Sequence, residues 1–191
     1  MKLLHKSKVD LNDQNLFSWS DSGKTPAYFC KSETIVVGEE LIKQLKGVSK
    51  KLGGTDVRLC LHSAPNSNFH DMIILQSGED YYRPHKHDTK ESTVHILEGS
   101  VAIFAFDDEG EVIDGAFLST DQNVIFRVAA NVYHTIFPTS EIAIYHEATP
   151  GPFLAENNSI YPEWAPDGIQ KSEAIEYKEK LISFLSEVYE V

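Results

Sequence analysis

The sequence lacks the features that mark several large classes of protein. Its 191 residues include only two cysteines, Cys30 and Cys60, and these form no CxxC pair. Neither a disulfide framework nor a cysteine zinc site is therefore expected. No stretch approaches the roughly 20 apolar residues of a membrane span, and residues 1–4 are followed by polar residues rather than by the apolar core of a leader peptide. We expect a cytoplasmic protein that does not bind membranes.

Basic residues are also scarce. The chain carries 17 lysines and arginines against 29 aspartates and glutamates, which gives a formal net charge of −12. Nucleic-acid binding needs a basic surface that neutralises phosphates, so this balance argues against a nucleic-acid partner. The expected partner is a small molecule.

The chain does have enough apolar residues, 41% of the total, for one well-buried core. We expect one compact domain in three parts: an N-terminal arm and helix over residues 1–56, a β-barrel over 57–150, and a wrapping segment with a C-terminal helix over 151–191. Apolar residues at three- and four-residue spacing predict the first helix over 38–52. A similar stripe over 171–191 predicts an amphipathic second helix.

The central part has the periodicity of strands. Apolar residues alternate with others over 57–61, and a short apolar run follows at 72–75. Six further short strands, each bounded by Gly, Asp, Asn or Pro, are predicted over 93–97, 100–106, 112–118, 123–128, 134–137 and 141–148. Many short strands with frequent turns favour an antiparallel sandwich or barrel, and hence an all-β core.

Three histidines have the spacing of a metal site. His85 and His87 are separated by one residue, so on an extended strand both imidazoles point to the same side. His134 follows a predicted turn and can supply a third imidazole from a neighbouring strand. Three such ligands would leave open positions on a metal for water or substrate.

Several strings of residues surround these histidines and extend beyond them at both ends. They are residues 58–62 (RLCLH), 83–87 (RPHKH), 90–92 (KES), 95–99 (HILEG), 104–110 (FAFDDEG), 132–135 (VYHT), Glu147 with 151–153 (GPF), and 164–168 (WAPDG). Together they resemble the cupin superfamily over residues 57–150, and within it the WbuC-type cupin metalloproteins. The resemblance implies a double-stranded β-helix barrel that binds a metal, flanked here by the N-terminal and C-terminal helices.

The sequence departs from the usual cupin pattern at two places. Cupins usually have a glutamate ligand seven positions before the glycine that ends the first motif, but that position is Ser92, and Glu91 precedes it. A bulge in the strand would turn Glu91 inward, so Glu91 is a candidate fourth ligand or acid/base residue. Asn131 stands where cupins usually have glycine; asparagine tolerates the left-handed conformation, so the turn is expected to survive.

Four residues are candidates for substrate binding. Arg58 and His62 belong to the family-like RxxxH string and share one face of their strand, where they would bind an anionic or hydroxylated substrate or, alternatively, satisfy buried carbonyl or carboxylate groups. Tyr82 and Tyr133 flank the histidines and would line the mouth of the pocket or pack.

Two further residues have alternative roles. His146 is a candidate to orient a metal ligand through its free nitrogen. Trp164 would stack on a sugar or, as we favour, cap the barrel.

Two classes of function fit these residues. The first is a metal-dependent enzyme that acts on a small metabolite or sugar derivative as an isomerase, a hydrolase or an Fe-dependent dioxygenase. The second is a cupin that binds or senses a small ligand without turnover. Fe, Ni and Zn all suit imidazole ligands, so the divalent metal is not identified. The family also implies a homodimer. A metal-free sugar-nucleotide epimerase would have no need of the HxH pair.

Overall fold

Short strands form most of the computed structural model, which describes residues 9–23, 25–153 and 159–189. The strands are β1 Phe17–Ser20, β2 Ala27–Cys30, β3 Val57–Cys60, β4 Phe69–Ser77, β5 Ser92–Glu98, β6 Ser100–Phe106, β7 Val112–Ser119, β8 Ile125–Val128, β9 Tyr133–Pro138 and β10 Ile142–Pro150. The helices are α1 Glu39–Lys51 and α2 Lys171–Tyr189. Residues 1–8, on which the expectation of no leader peptide rests, lie outside the described ranges.

Two sheets face each other and enclose the interior of a barrel. The larger has seven strands in the order β1-β2-β3-β4-β10-β5-β8, and the smaller has three in the order β7-β6-β9. All pairings are antiparallel except that of β2 with β3. Neither helix in the described ranges has the length and apolar composition that a membrane crossing needs.

The side chains of the central strands are buried on both faces. One apolar cluster, which includes Met72, Ile74 and Tyr145, fills the space between the two sheets. A second packs α1 against the outer face of the large sheet, and a third packs α2 against the outer face of the small sheet. The helices therefore cover opposite sides of the barrel, so its interior is reached from the ends.

The elements predicted from the periodicity are present, with shifts of a few residues at most of their ends. The predicted N-terminal arm differs, because β1 and β2 extend the large sheet within it. Each has only four residues, which is too short for alternation to stand out from an irregular segment. A turn between β6 and β7 is held by Asp107: its Oδ1 accepts hydrogen bonds from the backbone N–H groups of Glu109 and Glu111, and Gly110 has a φ of 92°.

Candidate metal centre

A pair of backbone hydrogen bonds brings the two histidine segments together. The N–H of His85 donates to the carbonyl of His134 at 3.0 Å, and the N–H of His134 donates back at 2.9 Å, which makes an antiparallel bridge. The N–H of Asn131 donates to the carbonyl of His87 at 2.7 Å. Asn131 has a φ of 61°, so it takes the left-handed conformation expected of it in the turn before β9. These backbone hydrogen bonds thus fix the relative positions of the three residues that carry the imidazoles.

The three imidazoles meet inside the barrel. Each offers one ring nitrogen such that the three nitrogens lie within 4.8 Å of one another. The ring centroids of His85 and His134 are 4.8 Å apart, those of His85 and His87 are 5.1 Å apart, and those of His87 and His134 are 5.7 Å apart. Metal–nitrogen bonds of about 2.0–2.1 Å would draw these nitrogens closer together by rotation of the rings. The group can therefore hold a metal ion.

Hydrogen bonds to the backbone select the tautomer of two of these rings. His85 Nδ1 lies 3.1 Å from the carbonyl oxygen of Arg83, and His134 Nδ1 lies 3.0 Å from that of Val132. A carbonyl only accepts, so Nδ1 carries the proton in both rings and Nε2 keeps its electron pair. This is the arrangement that orients and tunes imidazole ligands of metals.

The environment of His134 favours its neutral form. Burial lowers the pKa of His134, and the neighbouring His87 lowers it further. The bond from Nδ1 to Val132 and the negative charge of Glu147 act in the opposite direction. A neutral imidazole is the form that binds a metal, so no proton has to be displaced from His134 near neutral pH.

Glu91, the candidate fourth ligand, lies outside the histidine cluster. Its side chain is 52% exposed, and its carboxylate forms an ion pair with Arg127. β5 begins at Ser92, which is 2% exposed and points inward, so the preceding residue points outward. The inward turn proposed for Glu91 was therefore wrong.

The carboxylate that points into the barrel belongs to Glu147 on β10, which the sequence reasoning did not assign to the site. Ser92 Oγ donates a hydrogen bond to Glu147 Oε1 at 2.6 Å. The available signal was that Glu147 follows Ala143 and Tyr145 at two-residue spacing and belongs to the family-like strings.

Arg58 points into the barrel, as its place on β3 predicts. It lies opposite Ile74, a member of the interior cluster. Its Nε is buried and has no hydrogen-bond partner, and the same holds for Oε1 of Gln76, which is 6% exposed. These two atoms offer one donor and one acceptor that the protein itself does not satisfy.

Tyr82 is held by a half-buried carboxylate. Its hydroxyl donates to Asp56 Oδ2 at 2.7 Å, and its carbonyl accepts a hydrogen bond from Thr135 Oγ1. Burial raises the pKa of Tyr82 far above its ordinary value, and the adjacent Asp56 raises it further. Tyr82 is thus a neutral donor that is already engaged near the histidine segment.

Tyr133 does not line the pocket. It belongs to the cluster between the small sheet and α2, with Lys86 Nζ 4.4 Å from the centre of its ring. Because His134 points into the barrel, alternation sends Tyr133 to the outer face. Trp164 covers the same side: it packs against Phe106 and Tyr133, and its Nε1 donates to the carbonyl of Asp108.

His146 does not orient a metal ligand. It lies on β10 between Tyr145 and Glu147, so it points to the outer face of the large sheet, where its Nε2 contacts Asp71 Oδ1. The expectation for His146 failed because the register of β10 was not known from the sequence.

His62 stacks on another histidine. Its ring is parallel to that of His70 with centroids 4.3 Å apart, and its Nδ1 accepts a hydrogen bond from the N–H of Asp71. His70 Nε2 donates to the carbonyl of Pro65 at 3.0 Å. Burial lowers the pKa of both rings, so both are neutral near pH 7.

The stacked histidines predict that the metal-free protein loses stability in acid. The unfolded chain takes up protons at these residues as the pH falls below about 6.5, while the folded protein resists protonation until the lower folded pKa values are reached. The free energy of unfolding should therefore fall from pH 7.5 to pH 5.5 in urea titrations with a chelator present. His70→Gln keeps a donor for Pro65 and should reduce that fall; an unchanged slope would contradict the assignment.

Three comparisons place the chain among known proteins. Residues 39–118 match the model of a family described as a domain of unknown function, DUF6016, which is less than half of the chain. No curated protein matches the sequence.

The solved structures that match part of the chain have low sequence identity. The capsular polysaccharide assembling protein CapF from Staphylococcus aureus is 13% identical, with a TM-score of 0.48 over 57% of this chain and 32% of that one. Oxalate decarboxylase from Bacillus subtilis is 13% identical, with a TM-score of 0.44 over 56% of this chain and 27% of that one. A protein from Shewanella oneidensis is 14% identical, with a TM-score of 0.42 over 50% of this chain and 63% of that one.

In each case the chain spans less than two thirds of the other protein's length, and the likeness concerns the fold alone. The facing sheets and the helix on each side are those of the predicted architecture. The chain has an all-β core of two facing sheets with an N-terminal and a C-terminal helix.

Proposed function

We propose that this protein is a metal-dependent enzyme that binds a divalent transition metal through His85, His87 and His134 and acts on a small metabolite. The observation that carries the proposal is the convergence of three imidazoles, two of which have the tautomer of a metal ligand fixed by backbone carbonyls. Three neutral imidazoles on one side of an ion leave its other positions for a substrate.

The imidazole donors favour a transition metal such as Fe, Ni or Zn over Mg or Ca, which prefer oxygen ligands. Because the ligands are neutral, a bound ion keeps its full charge and supplies Lewis-acid chemistry to a substrate oxygen. The residues of the chain then have to bind the rest of the substrate.

The substrate we propose is small, hydroxylated or anionic, and extends from the histidines toward Arg58. Arg58 Nε and Gln76 Oε1 are both buried without partners, and both belong to neighbouring strands whose inner faces line the barrel. A ligand with an oxygen acceptor and a hydroxyl group would satisfy both atoms. A sugar derivative has these groups, and the WbuC-like strings support that choice.

The test of the metal site is elemental analysis of protein purified without oxygen and without a metal-affinity tag. The wild type is expected to contain close to one Fe, Ni or Zn per chain, and the double variant His85→Ala, His134→Ala is expected to contain almost none. His95→Gln is the matched control, because His95 lies on the outer face of β5 opposite His146. Equal metal contents in the wild type and the double variant would rule out this site.

The test of turnover is an oxygen-consumption screen with small hydroxy acids and sugar derivatives. Iron in the protein together with substrate-dependent uptake selects the dioxygenase. Zinc or nickel without oxygen uptake selects an isomerase or a hydrolase. Product analysis then distinguishes these two. A metal-loaded protein that binds such compounds and changes none of them would instead be a binding or sensing protein.

A further inference from the structure

The register of β10 places a carboxylate on the wall of the barrel. Glu147 lies opposite Met72 of β4 and Val94 of β5, and both of these side chains belong to the interior cluster. Residues directly opposite each other in an antiparallel pair point to the same face of a sheet. Glu147 therefore points between the two sheets, as Ala143 and Tyr145 of the same strand do.

The position of Glu147 is fixed by a buried hydroxyl. Ser92 Oγ donates to Oε1 at 2.6 Å, and Ser92 itself is among the most buried polar residues of the described chain. The second oxygen, Oε2, has no hydrogen-bond partner among residues 9–23, 25–153 and 159–189. One carboxylate oxygen is thus held by Ser92, while the lone pairs of the other are not used within the described residues.

Glu147 and the histidines approach the same space from opposite sheets. His134 lies opposite Ala105 of β6, whose neighbours at two-residue spacing, Val101 and Ile103, belong to the interior cluster. Facing sheets are about 10 Å apart, a gap that a glutamate and a histidine side chain together can nearly span. The negative charge of Glu147 also raises the pKa of His134, whereas burial lowers it.

We propose that Glu147 is the proton-accepting residue of this site, that Ser92 is its positioning residue, and that the substrates are small chelating molecules with an ionisable hydroxyl group. Oε2 takes the proton from that hydroxyl: the O–H bond of the substrate breaks, its electron pair stays on the substrate oxygen, and a carboxylic acid forms at Glu147. The same proton returns to the substrate or product at a later step, so the residue is regenerated. This inference rests on the proposed metal site.

The experiment compares two probes that differ in whether they carry a proton to give up. Acetohydroxamate loses its hydroxyl proton when it chelates a metal, whereas azide binds as an anion with no proton to transfer. The affinity of each is measured by the visible absorption of Co²⁺-loaded protein. Glu147→Gln is expected to weaken acetohydroxamate 10–100-fold, the range typical of groups that support a metal site, and to leave azide unchanged or tighter, because a nearby negative charge has been removed.

Two further comparisons separate this role from a structural one. Glu91→Gln, which changes the exposed carboxylate next to Ser92, should alter neither affinity. Ser92→Ala should weaken the binding of acetohydroxamate but not that of azide. Ser92→Thr keeps the hydroxyl and should bind acetohydroxamate about as tightly as the wild type. If the Glu147→Gln protein binds Co²⁺ but loses affinity for both probes equally, or for neither probe, the role proposed for Glu147 is wrong and the metal site stands. A wild type that binds no Co²⁺ would overturn the proposed metal site and this inference with it.

Discussion

Adding Ni²⁺ to the metal-free protein is expected to raise its free energy of unfolding by about 2.7 kcal/mol when the free metal is 100 times its dissociation constant. The reason is that His85 and His134 are brought together only by the folded backbone, through the two hydrogen bonds of their bridge. The unfolded chain has no such site, so the metal binds the folded state alone. Urea titrations with and without Ni²⁺, after removal of metal by a chelator, measure this difference.

Removing one imidazole should abolish most of that stabilisation. His134→Ala takes away the ligand that β9 supplies, and the remaining pair, His85 and His87, is expected to hold the metal too weakly to stabilise the fold at the same Ni²⁺ concentration. His95→Gln keeps all three ligands and should retain the full effect. If Ni²⁺ stabilised His134→Ala as much as the wild type, the metal would be binding elsewhere, and the outer-face residues His146 and Asp71 would be the first to examine.

The histidine cluster could be predicted because it depends on local rules. Alternation places His85 and His87 on one side, and a turn that asparagine can form places His134 beside them, as the φ of 61° at Asn131 shows. The same alternation also implies that Tyr133 points away once His134 points inward. Alternation therefore favours packing over lining the pocket, the two alternatives for Tyr133.

The carboxylate of the site could not be identified in that way. Whether Glu91 or Ser92 points inward depends on the residue at which β5 begins to pair with β8 and β10, which are distant in sequence. Glu147 follows Ala143 and Tyr145 at two-residue spacing, but which face of the nine-residue strand β10 points inward depends likewise on its register. Such pairings are set by the packing of the whole barrel rather than by neighbours in the chain.

A large loss of stability is expected from Phe104→Ala, about 3–5 kcal/mol. Phe104 is fully buried between the small sheet and α2, with the rings of Phe106 and Phe137 centred 6.3 and 6.2 Å from its own. Truncation removes the apolar contacts and leaves a cavity that the paired strands β6 and β9 cannot close without shifting. The free energy of unfolding in urea, measured on metal-free protein, tests this directly.

Phe184→Ala on α2 is the matched control, because the same atoms are removed from a residue that is 48% exposed. Its cost should be about 1 kcal/mol or less, since little apolar surface returns to water and no closed cavity forms. Equal losses in the two variants would contradict the placement of α2 against the small sheet.

The contrast matters for the site, because Phe104 lies opposite Thr135, the residue after His134. A shift of β9 that follows from the cavity would move His134, so Phe104→Ala should also weaken Ni²⁺ binding, whereas Phe184→Ala should not.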